Sequence, residues 1–303
     1  MKSSAIRSPF FYVGDKYKLM PQLLKLFPKK ISNYIEPFAG GGSSFLNTYA
    51  KNYFINDIDY YVISLHKYLH SYTNLQEQFF EKLFEIIEKY NLSCSFKNKL
   101  APSELKEKYP KTYYSHFNKL SYNQMKSDYN STADNMLLYL LLIYGFNHMI
   151  RFNKNGEFNL PVGNVDFNKN VYSALNNYWK FMKKSKVHFY NLNYTDFLKK
   201  VKYDRDSFVY LDPPYLISGS EYNKLWNEKE EKKLCECLDE LNSKGIKFGI
   251  TNLVKHKGKE NLIFLDWSKK YYSHNINSNY ISFNDNTIKN SSQEVYVTNY
   301  GKK

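Results

Sequence analysis

The sequence predicts an α/β fold in which a mainly helical block is inserted into one parallel-sheet domain. Two observations predict it. Near both ends of the chain, short apolar segments that finish on polar residues alternate with stretches of helical period. That βα pattern implies a parallel sheet with ligands beyond the carboxyl ends of its strands. Between them, from Tyr72 to about Asn177, helices and polar loops dominate without strand alternation. Residues 1–60 and 186–303 are therefore assigned to the sheet domain and residues 61–185 to the insertion.

Each element has a local reason. In "SNYIEPFAGGGSSFLN", a strand from Tyr34 to Glu36 runs into a glycine-rich turn and a helix opened by Ser43 or Ser44. "NYFINDID" is a second strand ending on carboxylates. Beyond Tyr72, Leu75, Phe79, Leu83, Phe84 and Ile87 fall on one helical face, and Thr73 with Gln76 fits a capping box. "MLLYLLLIYGF" (Met136 to Phe146) is too short to span a bilayer and reads as a buried helix. Strands resume in "KVHFYNLNYTDFLKK" and "FVYLDPPY"; "EKEEKKLCECLDELNSKG" is a helix stopped by Gly245; "IKFGITN" is the next strand and "QEVYVTNY" the last.

Composition narrows the class. A chain of 303 residues that is 43% hydrophobic can bury a large core. The N-terminus lacks an apolar signal core, so secretion is not expected. Cys94, Cys235 and Cys237 form neither a disulfide framework nor a zinc spacing; no metal is expected, and a reducing cytoplasm fits. With 43 basic against 29 acidic residues, the net charge of +14 favours a polyanionic partner through counterion release. A lysine-rich solvated surface would give the same balance.

Two motifs carry chemistry. After the first strand, Gly40, Gly41 and Gly42 would let a ligand approach the backbone closely. Asp57 follows the next strand, about twenty residues on, where a carboxylate takes ribose hydroxyls. Together they describe an adenosine-type cofactor site. No Gly-Lys-Ser/Thr follows the glycines, which argues against a nucleoside triphosphatase, and a dehydrogenase would leave "DPPY" unexplained. In that second motif, the prolines hold the Asp212 carboxylate and a proline carbonyl as two acceptors suited to an exocyclic amino group. Tyr215 adds a face on which a planar base taken out of a duplex could stack. A proline turn with a core tyrosine is the plainer alternative.

The order of "PFFYVGDKYKL", "YIEPFAGGGSSFLN", "NDID", "IYGFNHMIRFNKNGEFNLPVG" and "VYLDPPY" resembles the Dam-type (class D12, alpha group) DNA adenine-N6 methyltransferases over nearly the whole chain. The resemblance implies a Rossmann-like methyltransferase sheet with an inserted, mainly helical DNA-recognition domain. It implies S-adenosyl-L-methionine as cofactor and transfer of its methyl to a flipped adenine in double-stranded DNA, at GATC or a related short site. Such a protein would be a cytoplasmic monomer with no membrane association. It would belong to a restriction-modification system, with a cognate restriction endonuclease sharing the site, or be an orphan enzyme.

The resemblance also assigns residues. Tyr12, where many relatives have Trp, and Lys16 would hold S-adenosylmethionine together with Phe38, Gly40 and Gly42. Asp57 matches the ribose ligand, and Asp196 with Phe197 the pair beside the cofactor's adenine; those two also fit a helix N-cap and a core residue. Asp212, Pro213, Pro214 and Tyr215 match the catalytic segment, with Asp212 also at the cofactor. Phe146, Asn147, Met149 and Pro161 match recognition positions. Arginine occurs only at 7, 151 and 205; Arg151 could bridge the two major-groove acceptors of guanine, or serve as a phosphate clamp or surface ion pair. Phe11 stands where many GATC-modifying relatives carry Lys, and it cannot donate to guanine. Cytosine N4 or an RNA base are alternative acceptors, but cytosine enzymes more often begin the tetrapeptide with Ser. An inert DNA-binding protein would need no methyl-donor pocket.

Overall fold

In the computed structural model, residues 5–218, 226–278 and 292–301 are described. The chain passes through α1 (Met20–Leu23), β1 (Asn33–Glu36), α2 (Ser43–Asn47) and β2 (Asn52–Asn56). A helical run follows: α3 (Tyr60–Ser71), α4 (Gln76–Lys89), α5 (Ser103–Lys108), α6 (Tyr113–Thr132), α7 (Asn135–Tyr144) and α8 (Lys169–Met182). Alternation then returns with β3 (Lys186–Tyr190), α9 (Tyr194–Lys200), β4 (Phe208–Leu211), α10 (Glu228–Ser243), β5 (Lys247–His256) and β6 (Lys259–Glu260). The last elements are α11 (Leu262–Ser268), β7 (Tyr272–Ile276) and β8 (Ser292–Thr298). They gather into two compact units. One holds Met1–Tyr17, Gly40–Leu46 and Asp59–Ser185; the other holds Lys18–Ala39, Asn47–Ile58 and Lys186–Lys303.

The second unit contains the sheet, in the order β3-β2-β1-β4-β5-β8-β7, with β6 paired to β5. The strands from β3 to β5 are parallel. Chain order reverses direction between β1 and β4, so a switch point opens at the carboxyl ends of those two strands. Both are buried at every position, as strands covered on two faces must be. On one face Ile35, Val209, Leu211, Phe248 and Ile250 pack with Phe197, Leu234, Leu238 and Phe264. On the other, Phe27 meets Phe208 and Tyr210 at ring-centroid distances of 4.9 and 5.1 Å.

The expected parallel sheet is therefore extended by an antiparallel edge. "QEVYVTNY" does form a strand, but β8 runs antiparallel between β5 and β7. The mostly polar "YSHNI" of β7 gave no strand signal, because only Ile276 of that edge strand is buried.

In the first unit α7 is buried from Met136 to Tyr144, as its unbroken apolar run requires. Asp134 caps it by accepting from the backbone N–H groups of Met136 (2.7 Å) and Leu137 (3.1 Å). Phe79, Leu83 and Ile87 of α4 are buried, whereas Leu75 precedes the helix and is exposed. The capping box does not form. Thr73 Oγ1 donates backward to the His70 carbonyl, and the Gln76 side chain donates to the Thr73 carbonyl. The preceding helix turn thus outcompetes the cap for both side chains.

A Cβ at Gly249 would lie 1.9 Å from Tyr296 Oη and 2.4 Å from the adjoining ring carbon, so only glycine fits at this point of β5. Gly249→Ala is expected to cost about 1–3 kcal/mol by overpacking. The cost should shrink when Tyr296 is also replaced by Leu, as urea denaturation of the two single variants and the double variant would measure.

Candidate functional site

Asp212 follows directly on the last residue of β4, at the switch point. The Tyr215 hydroxyl reaches Asp212 Oδ1 at 2.9 Å and Glu294 Oε1 at 2.7 Å; having one proton, it donates to one of them at a time. Thr251 Oγ1, on β5, donates to the same Asp212 oxygen at 2.9 Å and lies 3.2 Å from the Tyr210 hydroxyl. Burial, with Asp212, Glu36 and Glu294 nearby, pushes Tyr210 well above the usual phenol range and keeps it protonated. Tyr215 itself is only 8% exposed. Thr251 and Glu294 had no role in the sequence reading. The one available signal is a carboxylate, Glu294, directly before the apolar run Val295–Val297 of a strand.

The neighbouring strand ends are tied together by Asn56. Its Nδ2 donates to the carbonyls of Pro37 and Leu192 (both 3.0 Å), its Oδ1 accepts from Leu192 N–H (3.0 Å), and its carbonyl accepts from Ala39 N–H (2.9 Å). Asn191 Nδ2 then holds the carbonyls of Asp57 and Ile58, each at 2.9 Å. Half-buried Phe38 packs against Tyr194 and Trp226 at 5.2 and 5.7 Å. At α9 the N-cap is Asn193, which accepts from Thr195 N–H; Asp196 is exposed in the first turn, and Phe197 is fully buried. The N-cap alternative for Asp196 is thereby overturned, because Asn193 takes that position. Phe38, Asp57, Asp196 and Asp212 all lie at or just beyond carboxyl ends of the four adjacent strands β1 to β4.

In the other unit, the N-terminal segment packs on the glycine turn. A Cβ on Gly41 would sit 2.8 Å from Tyr12 Cβ, and one on Gly42 would sit 2.3 Å from the Phe45 ring. At Gly41 the close neighbour is thus the chain's own Tyr12. Ser8 Oγ donates to the Gly41 carbonyl and accepts from Phe10 N–H. His66 Nε2 lies 2.9 Å from the Gly40 carbonyl, an acceptor, which places the ring proton on Nε2. Burial lowers the His66 pKa to about 4. Asp15, beside partly buried Lys16, accepts from Tyr17 N–H at 2.7 Å. Burial raises its pKa against the opposing hydrogen bond from Ser43.

The residues matched to DNA recognition also lie in this unit. Phe146 N–H donates to the Pro161 carbonyl (2.9 Å), and Asn159 N–H donates to the Arg151 carbonyl (3.0 Å). Two chain segments are thereby clasped, exposing Phe146, Asn147 and Pro161, with Met149 half-buried. The Arg151 guanidinium donates through Nε to Asn159 Oδ1 (3.0 Å) and through Nη2 to the Asn159 carbonyl (2.9 Å). These bonds fix its plane and leave the Nη1 donors for another acceptor. Phe11, at φ 52°, stacks under the Arg7 guanidinium (4.3 Å) and near the His148 ring (5.6 Å).

A family model for D12 class N6 adenine-specific DNA methyltransferases matches residues 12–281. The chain belongs to this D12 family. It is 34% identical over 306 residues to the type II methyltransferase M.FokI of Planomicrobium okeanokoites, covering 98% of this chain and 43% of that protein. To the modification methylase StsI of Streptococcus sanguinis it is 33% identical, with the same two coverages. To the DNA adenine methylase of Escherichia coli (strain K12) it is 30% identical over 208 residues, covering 67% of this chain and 63% of that one. The chain thus spans less than half the length of the first two relatives. In this D12 protein the sheet order and its antiparallel edge form a Rossmann-like methyltransferase fold.

His66 sets a pH dependence. Its ordinary pKa of 6.5 falls to about 4 in the folded chain, so the unfolded chain takes up the proton first. Stability is whole above pH 6.5 and is lost as pH falls toward 4, by about 1.4 kcal/mol per unit and about 3 kcal/mol in all. His66→Gln should keep a donor for the Gly40 carbonyl and flatten this loss between pH 6.5 and 4.5. An unchanged dependence in urea titrations would clear His66 of the effect.

Proposed function

We propose that the chain is a site-specific DNA adenine-N6 methyltransferase, acting on a flipped adenine in duplex DNA at GATC or a related short site. The observation that carries this reading is the Asp212–Tyr215 corner. Its carboxylate is held by Tyr215 and Thr251 at the switch point of the sheet, on the same edge as Asp57. The sheet unit would do the chemistry and the helical unit would read the DNA. A monomeric cytoplasmic enzyme, paired with a restriction endonuclease of the same site or working as an orphan, fits the reading.

The residues fit S-adenosylmethionine. Gly40 (φ 47°) and Gly42 (φ 83°) give the turn a left-handed backbone that glycine favours, and Asp57 offers a half-buried carboxylate for ribose hydroxyls. Tyr12, Lys16, Phe38, Gly40 and Asp196 would complete that site, with Phe197, fully buried in the core, supporting the turn that carries Asp196. When bound, the cofactor supplies an electrophilic sulfonium methyl.

The rest is done by the chain's own groups. The adenine amino nitrogen is a poor nucleophile, because its lone pair is delocalised into the ring. Asp212 and the Pro213 carbonyl would accept its two hydrogens and favour a tetrahedral nitrogen whose lone pair is free to form the N–C bond. Transfer would be a direct displacement by that lone pair, with the proton lost from N6 passing along its hydrogen bond to the Asp212 carboxylate and on to solvent. Pro213 and Pro214 restrict the backbone so that these acceptors need not reorganise. The hydroxyl bonds of Tyr215 fix the orientation of its ring, which would be the stacking face for the extruded base. Arg151, its plane fixed by Asn159, would take guanine acceptors, with Phe11, Phe146, Asn147, Met149 and Pro161 lining the recognition surface.

Incubation with labelled S-adenosylmethionine and unmethylated duplex DNA, followed by mapping of the modified base, tests the reading. Label on cytosine, on RNA alone, or nowhere would overturn it. Asp212→Ala should lower methyl transfer by at least about a thousandfold with DNA affinity nearly unchanged. Arg151→Ala should relax one base of the site by about 1–3 kcal/mol of discrimination; an unaltered preference would return Arg151 to a phosphate-clamp role.

A further inference from the structure

Resting on the proposed function, we propose that the β5–β6 hairpin is a separate, sequence-independent DNA grip, with Lys257 and Lys259 at its tip binding the phosphate backbone beside the target adenine. The topology places it there. β4 pairs with β5 only from Phe208↔Lys247 to Leu211↔Ile250, yet β5 continues to His256. Thr251, the first residue past that ladder, already hydrogen-bonds Asp212. The chain then runs on past the carboxylate through His256 before reversing, a reach of roughly 15 Å at about 3.3 Å per residue. A duplex presenting an extruded base to Asp212 must pass outside this same edge.

The hairpin's chemistry agrees with that placement. Lys255 and Glu260 pair at 2.7 Å, neutralising its base and closing the two strands. His256 Nδ1 lies 2.7 Å from Ser292 Oγ and ties the hairpin to β8. The tip carries Lys257 and Lys259, both exposed. Lys257 (φ 49°) and Gly258 (φ 78°) form a turn with two consecutive left-handed residues, where asparagine is the favoured first residue. A lysine accepts that strained backbone without asparagine's local compensation, which points to a demand for its side chain. The catalytic corner itself gathers Asp212, Glu294 and Glu36, which repel phosphate. Cations displaced along β5 offset that repulsion where a backbone would pass.

The test is salt dependence. DNA affinity would be measured by fluorescence anisotropy over a salt series, on one duplex that carries the mapped target site and one that lacks it. The proteins are the wild type, Lys257→Asn/Lys259→Gln and Lys257→Arg/Lys259→Arg. The neutral double variant should lose about 1.8 from the slope of log K against log salt, equally on both duplexes, because each phosphate contact contributes about 0.9. The arginine variant should keep the wild-type slope, and S-adenosylmethionine affinity within twofold of wild type would report an intact fold. An unchanged slope in the neutral variant overturns the grip, and so does a loss confined to the target duplex. If the wild type transfers no methyl to DNA, the proposed function falls and the grip with it. If it does transfer while the slope is unchanged, only the grip falls.

Discussion

The lateral position of β1, with parallel β2 on one side and parallel β4 on the other, is the constraint on which the sheet unit depends. Parallel neighbours all finish at the same edge, so three turns that are distant in sequence must emerge side by side. Reversal of strand order on either side of β1 leaves a crevice there rather than a packed crossing. Asn56 makes the arrangement exact in register. One amide side chain satisfies the carbonyl of Pro37 and both backbone groups of Leu192, joining the exits of β1, β2 and β3. An aspartate at that position could accept but could not supply the two donors.

The buried carboxylate of Glu231 persists because donors surround it. Glu231 is fully buried and takes Asn252 Nδ2 (2.8 Å), Asn261 Nδ2 (2.7 Å) and Trp226 Nε1 (2.6 Å), binding α10 to β5, to the start of α11 and to the aromatic group around Phe38. Removing one donor from such a group leaves a buried charge undersolvated, a larger penalty than any single bond is worth. Asp212 follows the same logic with hydroxyl donors, from Thr251 and Tyr215. Hydroxyls rotate, so this carboxylate is held in place while its partners can still adjust their protons.

Much of this was legible in the sequence for a local reason. A strand that ends on Glu36 and reaches three glycines after Pro37–Ala39, or ends on Leu211 and runs into Asp212 and two prolines, announces both its period and its exit within a few residues. The buried helix α7 is equally explicit, since no other element could hide Met136 to Tyr144. What stayed hidden is set by partners far along the chain. Nothing near Gly41 says that Tyr12 will press on it, and nothing near Asp212 names Thr251 or Glu294. The β7 strand hides for the opposite reason: an edge strand with solvent on one side needs no apolar pattern. At Thr73 and Gln76 a correct local motif lost to a nearer carbonyl.

The irregularity of β5 has a further consequence. Its pairing with β8 is regular from Gly249 to Leu253 and shifts by one residue before Lys255. Thr251 lies on the regular side of that bulge and the hairpin on the other. A strand without a bulge transmits every insertion or deletion along its length and turns alternate side chains to the wrong face. Here the bulge acts as an expansion joint: changes in hairpin length or sequence can be absorbed beyond it while Thr251 keeps its hold on Asp212. The outer end of β5 is therefore free to diverge among descendants of this chain at a pace that its inner end cannot follow.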